Sequence, residues 1–579
     1  MSQPFERFTW KIGGEAGFGI KSAGMSFAKS CYRAGFEVFD YTEYPSLIRG
    51  GHNTYQITIS DRPTRSVDCQ VDLLVALNER TLAQHFNEMT LDSAIIYDAD
   101  EVKIDETPFK ERHVHLIHVP LRAFSKQVGA DIMRNTVSLG ASMALISLPS
   151  SYLSDIVRET FAHKPGVIDL NVKALSLGYD YIRNHYPDFR FKVSLKPREK
   201  GNRMYIGGNE ATALGALAAG CDFYAGYPMT PSSGILHYMA AKAVSQNVIF
   251  KHAEDEIAVL NMALGAALVG ARSMVATSGG GFALMAEALG LAGITETPVV
   301  IVNCQRPGPA TGLPTWTGQA DLRFMMHAAQ DEFPRIILAP GDIEECFYMT
   351  ASAFNLTERY QTPVIILSDK TLGEGAGSVP AFDELKVTID RGKLLEESQI
   401  LADYKRYEMS SDGISPRTLP GMKGGIFCAN SDEHDEYGYS NEESSVRIAQ
   451  VDKRNRKLDS MRSELDGANL YGPKNADITV VAWGSTKGAV LDAFDLLPSE
   501  IRNRFRLLHI HVLWPFNGAK VEEILRQSRR VILIEGNSLA QLGGLIRQET
   551  GILIDDMILR YDGRSFFANE VKEKLLAYI

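Results

Sequence analysis

Cysteine is scarce in this chain and never clustered. Six occur in 579 residues, at Cys31, Cys69, Cys221, Cys304, Cys346 and Cys428. No two stand in a Cys-x-x-Cys arrangement, so neither a zinc ribbon nor a contiguous iron–sulfur motif is encoded. Long apolar runs are also missing. The richest stretch, 257–269, has the Ala/Gly/Leu pattern of a core helix and is too short for a membrane span. Excess positive charge is absent: 60 basic against 71 acidic residues leave a net charge of −11, which gives no electrostatic basis for nucleic-acid binding. The first residues lack the apolar segment of a secretion signal, and a cytoplasmic location is expected. Neither an internal repeat nor a low-complexity tract is found.

What is present is an ordinary globular composition, 45% hydrophobic and 23% charged, long enough for about three or four domains. Strand-like runs at 8–12, 37–41, 54–59, 71–76, 94–97 and 114–119 alternate with helical patterns, as in an open α/β sheet. This unit is expected to span 1–195. A polar stretch with Gly and Pro, 196–203, leads into a second α/β domain over 203–380. Its strands at 248–251, 273–277, 298–302 and 364–367 read as buried on both faces, the habit of parallel strands. A long charged segment, 381–473, is expected to be irregular, as a linker or lid. A last domain, 474–579, opens with the strand 478–483.

Two blocks carry the sharpest signal. Tyr227-Pro-Met-Thr-Pro-Ser-Ser233 reads as a strand end, a proline-fixed turn and a helix start, with hydroxyls at the helix N-terminus. His252-Ala-Glu-Asp-Glu-Ile-Ala258 sets Glu254, Asp255 and Glu256 before a long helix. Acidic residues there complement the helix dipole, so the position alone proves no function. The turn at 13–19 is rich in glycine, but its spacing departs from the dinucleotide fingerprint. Glu433-His-Asp435 lacks the further ligands of a metal centre and reads as a polar loop, and no metal ligands are assigned.

Four motifs stand in order: Gly226-Tyr-Pro-Met-Thr-Pro-Ser-Ser233, Glu254-Asp-Glu-Ile-Ala258, Ala276-Thr-Ser-Gly-Gly-Gly-Phe282 and Gln305-Arg-Pro-Gly-Pro-Ala-Thr-Gly-Leu-Pro314. Together they resemble the α subunit of the 2-oxoacid:ferredoxin oxidoreductases, most closely the 2-oxoglutarate type, with a γ-type domain fused ahead of it. The resemblance implies a multi-domain α/β protein. Doubly wound sheets of the thiamine diphosphate pyrimidine-binding kind would be followed by a transketolase C-terminal-like domain. It places the cofactor-activating carboxylate on Glu256, with Glu254 as runner-up and Asp255 as a cap. Such a carboxyl hydrogen-bonds the aminopyrimidine of thiamine diphosphate and works best when burial raises its pKa. Tyr227, Pro228, Ser278 and Gly279 are implied to line the cofactor. Thr230 and Arg306 are implied to meet the carboxylate of the 2-oxoacid. A simple capping threonine is the competing reading for Thr230.

One position departs from the resemblance. Trp316 stands where many relatives of the 2-oxoglutarate type carry Arg or Lys, a cation suited to a second carboxylate. Arg49 and His52, in a Gly-flanked loop, are candidates to replace it. No Gly-Asp-Gly…Asn diphosphate motif is present. The resemblance therefore implies a β subunit that holds the cofactor's diphosphate through Mg2+ and carries a 4Fe-4S cluster. Coenzyme A would be co-substrate, ferredoxin the electron acceptor, and an (αβ)2 heterotetramer the assembly. Pyruvate or another 2-oxoacid as substrate, and a noncatalytic scaffold role, are the rival readings.

Overall fold

The computed structural model describes residues 7–47, 50–191 and 195–579, and Arg49 lies outside them. Three open sheets organise these residues, with helices packed on their faces. In the first sheet, Phe8–Glu15, Val71–Ala76, Met89–Tyr97 and His115–His118 run parallel. His52–Ser60 and Glu37–Glu43 continue from Phe8–Glu15 as antiparallel neighbours. Gly13 and Gly14, which the glycine spacing assigns to a turn, still belong to the first strand.

Two further strands, Ala376–Pro380 and Arg203–Gly207, complete this sheet to eight. Both come from the ends of the expected second domain. Polar contacts explain the annexation: Arg203 Nη2 and Ser378 Oγ reach Glu37 Oε2 at 2.6 and 2.7 Å. The Val38 amide donates to Ser378 Oγ at 2.8 Å. The middle domain is thus tied at both ends to the N-terminal sheet.

The middle sheet runs in the order Val512–Trp514, Ile336–Leu338, Pro363–Asp369, Val299–Gln305, Ser273–Thr277, Phe223–Gly226 and Ile249–His252. All but Val512–Trp514 are parallel. Its central strands are buried on both faces, as their unbroken apolar sequence predicts. Ile249–His252 differs: it is the edge strand, and Ile249 and Lys251 face outward. The C-terminal sheet has five strands, Ala468–Tyr471, Phe505–Ile510, Ile478–Trp483, Arg530–Glu535 and Asp556–Leu559. The chain between its strands lends Val512–Trp514 to the middle sheet and so locks the two together.

The 381–473 segment is exposed or half-buried over 381–405 and becomes buried at points from Arg406 on, at Tyr407, Ile414, Arg417 and His434. Its main regular element is the helix Ser444–Glu464, whose buried face is built largely from charged residues. Lys453 and Lys457 each reach Glu296 at 2.5 Å, and Arg417 pairs with buried Glu358. The sequence reads as helix-like over 451–457 only, and the structure extends that helix to Ser444–Glu464, with ionic pairing in place of an apolar stripe. Glu433 proves to be a pairing residue too, bonded by Arg447 and Arg454. Among the described residues, no helix is long and apolar enough to cross a membrane.

Candidate active site

Four strands of the middle sheet deliver the motif residues to one edge. Phe223–Gly226, Ile249–His252, Ser273–Thr277 and Val299–Gln305 are parallel, so the loops after them gather at their common carboxyl end. Open α/β sheets bind ligands there.

Burial separates the three acidic candidates. Glu254 is exposed, and Asp255 is the N-cap of the helix Glu256–Leu268, its Oδ1 accepting from the Ala258 amide at 2.8 Å. Glu256, the first helical residue, is 3% exposed, and its Oε1 has no hydrogen-bond partner among the described residues. Burial pushes its carboxyl up from the ordinary value, while its own backbone amide and the Arg306 charge oppose that in part. Ser278 Oγ and Asn303 Oδ1 are likewise buried without partners. Three unsatisfied polar atoms at one sheet edge contrast with the general rule that buried polar atoms are paired.

Glycine makes room for this cluster. A Cβ on Gly281 would collide with Thr277 Oγ1 and Glu256 Oε1, and one on Gly279 would press on Asp321 Oδ2. The helix Gly279–Leu284 can approach the carboxylates only because no side chain intervenes. Asp321, which the motifs did not reveal, accepts from Asn303 Nδ2 at 3.0 Å, and its amide donates to Gln305 Oε1 at 3.0 Å. Its charge and that of Glu256 favour the guanidinium form of Arg306 against burial.

Arg306 follows its strand directly, and its Nη1 donates to the Thr230 carbonyl at 2.7 Å. That bond ties the loop 227–232 to the 306 loop. Thr230 is no capping residue: the helix begins at Ser233, Ser232 is its N-cap, and no side-chain cap bond is made. Tyr227 and Pro228 are exposed at the mouth. Ser278 precedes its helix as N-cap without bonding it, so its hydroxyl is free for something else.

The other expected contacts lie elsewhere. His52 sits in the N-terminal sheet, where its Nε2 meets His85 Nε2 at 2.8 Å and His85 Nδ1 meets Glu88 at 2.8 Å. Burial and the adjacent His85 push the His52 imidazole down to about 4, so it is neutral at pH 7 and no substitute for a cation. Trp316 lies beneath the guanidinium of Arg564, 3.4 Å from the ring centroid, a contact that the sequence order hid.

An apolar surface adjoins the site. Ile257, Met262 and Val269, on and just after the helix that starts at Glu256, are 50%, 44% and 60% exposed, and Leu284 is 50% exposed. These exposed apolar side chains stand on or beside the two helices that flank the site. The sizeable cavities, of about 230, 600 and 690 Å3, are lined by other residues.

Comparison with known proteins finds relatives over nearly the whole chain. A family profile described as pyruvate flavodoxin/ferredoxin oxidoreductase, thiamine diP-bdg covers residues 214–453, and one described as pyruvate ferredoxin/flavodoxin oxidoreductase covers 9–181. The α subunit of 2-oxoacid:ferredoxin oxidoreductase 2 from Aeropyrum pernix is 34% identical over 97% of this chain and 96% of its own length. The 2-oxoglutarate oxidoreductase subunit KorA of Mycobacterium tuberculosis is 29% identical over 98% of this chain and 91% of its own. Among solved structures, the 2-oxoglutarate:ferredoxin oxidoreductase from Magnetococcus marinus, with 2-oxoglutarate, coenzyme A and succinyl-CoA bound, superposes with a TM-score of 0.92 at 31% identity, covering 99% of both chains.

Proposed function

The chain belongs to the α subunits of the 2-oxoacid:ferredoxin oxidoreductases, and from that premise we propose that it serves a 2-oxoglutarate:ferredoxin oxidoreductase, working with a β subunit. The reaction converts 2-oxoglutarate and coenzyme A to succinyl-CoA and CO2, with two electrons passing to ferredoxin. The observation that carries this reading is Glu256: a buried carboxyl with a raised pKa and an unpartnered oxygen at a ligand-binding sheet edge.

The residues present fit thiamine diphosphate. Glu256 Oε1 has no partner among the described residues, and a ring nitrogen of the aminopyrimidine matches it, accepting from the protonated carboxyl or donating to the carboxylate once the proton has moved. Gly279 and Gly281 leave room at the carboxylates that a Cβ would fill. When bound, the cofactor supplies the carbon nucleophile and the electron sink that decarboxylation requires. Glu256 keeps a proton at Oε1 more readily than a solvated carboxyl, which suits it to hold and return that proton against the ring. Arg306 grips the carboxylate next to the oxo group, and its bond to the Thr230 carbonyl fixes where that grip lies. Thr230 offers its hydroxyl beside it.

A β subunit completes this reading by supplying what the chain lacks. The chain has no diphosphate-binding motif and no clustered cysteines, and apolar side chains such as Ile257 and Met262 stand exposed beside Glu256. The partner would bring Mg2+, the 4Fe-4S cluster and the remainder of the cofactor site, in an (αβ)2 assembly. The test is coenzyme-A-dependent viologen reduction by the anaerobically co-expressed pair. A preference for 2-oxoglutarate over pyruvate is expected; a preference for pyruvate would reassign the substrate and keep the chemistry. Full activity after Glu256→Gln would reduce this chain to a scaffold.

A further inference from the structure

A dicarboxylic 2-oxoacid needs a cationic contact at each end, and Arg306 accounts for one. The loop after Arg306 doubles back: the Leu313 amide donates to Pro307 O at 2.9 Å, and a Cβ on Gly318 would lie 3.5 Å from the Pro307 nitrogen. Trp316 rides on the returning limb. A loop of the C-terminal domain docks on it there, with the Thr317 amide donating to Gly563 O at 3.2 Å. The next residue, Arg564, lays its guanidinium 3.4 Å above the Trp316 ring.

That guanidinium is held but not consumed. Among the described residues it makes no hydrogen bond, and its one ion pair is a loose 3.8 Å contact with Glu43, part-exposed on both sides. Stacking uses the face of a guanidinium and leaves free the edge from which its N–H groups project. A free edge is the geometry that receives both oxygens of a carboxylate. The neighbouring cation is differently placed: Lys370 is buried, donates to Thr42 O at 2.5 Å and pairs with Glu374 at 3.5 Å.

We propose that Arg564, seated on Trp316, is the specificity-determining residue that meets the far carboxylate of the substrate. The proposal rests on the 2-oxoglutarate reading above. Glu43 then acts as a placeholder acid, holding Arg564 until a substrate carboxylate displaces it.

The test compares 2-oxoglutarate with 2-oxobutyrate, the same 2-oxoacid without its far carboxylate, on the co-expressed complex. Arg564→Gln is expected to raise KM for 2-oxoglutarate about 30-fold, the loss of a charge-assisted hydrogen-bonded contact. Its kcat should change little, and KM for 2-oxobutyrate should stay within about threefold. Arg564→Lys, keeping charge but losing the fork, should fall between. Glu43→Gln should lower KM for 2-oxoglutarate alone, a readout that stands even if Arg564→Gln fails to assemble. Equal effects on both substrates, or an unchanged 2-oxoglutarate KM in Arg564→Gln or in Glu43→Gln, would overturn the proposal while leaving the function intact. A wild-type complex with no preference for 2-oxoglutarate over 2-oxobutyrate would overturn the functional reading, and the proposal with it.

Discussion

Glu256 and Glu296 belong to the same domain and are equally hidden, 3% and 1% exposed, yet they are opposite kinds of carboxyl. Burial pushes both up. Around Glu296, the ammonium groups of Lys453 and Lys457, with Arg406 behind them, more than reverse that and hold it far below the ordinary range. Around Glu256 only its own backbone amide and the Arg306 charge oppose burial, and one oxygen is left without a partner. A carboxylate saturated by its own chain is part of the fold. One buried as deeply and left unsaturated is strained unless something outside the chain completes it, and that difference distinguishes site from scaffold.

The sharpest way to break the comparison is to neutralise each acid. Glu256→Gln should cut turnover of the assembled complex by about 10^4-fold, the upper range for losing a positioned acid–base group. Its melting temperature at neutral pH should hold or rise, because an unpaired buried charge is removed. Steady-state viologen reduction and calorimetry on one preparation would read both. A large loss of stability here would make Glu256 structural and collapse the distinction.

Glu296→Ala should do the reverse. It leaves two lysines buried without an anion, which costs about 3–5 kcal/mol. Denaturant unfolding would measure this, and protease cleavage within 381–473 should accelerate as Ser444–Glu464 loosens. Turnover per folded complex should be retained. If activity falls while stability holds, the segment touches the chemistry and is no mere brace.

Gly281→Ala probes the space around the unsaturated acid. The added methyl group meets Thr277 Oγ1 and Glu256 Oε1, so Glu256 must turn away or the helix Gly279–Leu284 must withdraw. A displacement of that size should cost about 100-fold in turnover and about 1–3 kcal/mol in stability through overpacking. Restoring turnover with Thr277→Ala, which removes Oγ1, would assign the loss to the Thr277 contact, and no restoration would assign it to Glu256.

Much of this was legible in advance, for physical reasons. The carboxyl-edge loops are local, since each strand is an apolar run and each turn is marked by Gly, Pro or Ser, while the roles of Thr230, Glu256, Ser278 and Arg306 come from the resemblance of those loops to the family's motifs. Asp321 and Asn303 could not be read this way, because their roles arise from contacts between separate loops. Only the 451–457 part of the helix Ser444–Glu464 reads as helical, because its buried face is charged and leaves no apolar stripe to mark its extent. Arg564 and Trp316 are brought together by domain docking alone, from positions far apart in sequence. The strands Arg203–Gly207 and Ala376–Pro380 read as the ends of one domain and pair in the sheet of another, since edge pairing is decided by partners such as Glu37.

The smallest effect is also the most discriminating, because its sign differs between the two glutamates. A carboxyl raised in the folded state contributes stability that is present below its unfolded value, about 4.3, and lost as pH rises through the folded value. That is Glu256. A carboxyl depressed in the folded state contributes stability that is present above about 4.3 and lost as pH falls through its folded value. That is Glu296. The stability of wild type minus Glu256→Gln should therefore decline as pH climbs above about 4.3, and that of wild type minus Glu296→Gln should decline as pH drops below it. Parallel curves would mean that both carboxyls sit in equivalent environments, and the unpartnered oxygen of Glu256 would then need no ligand to explain it.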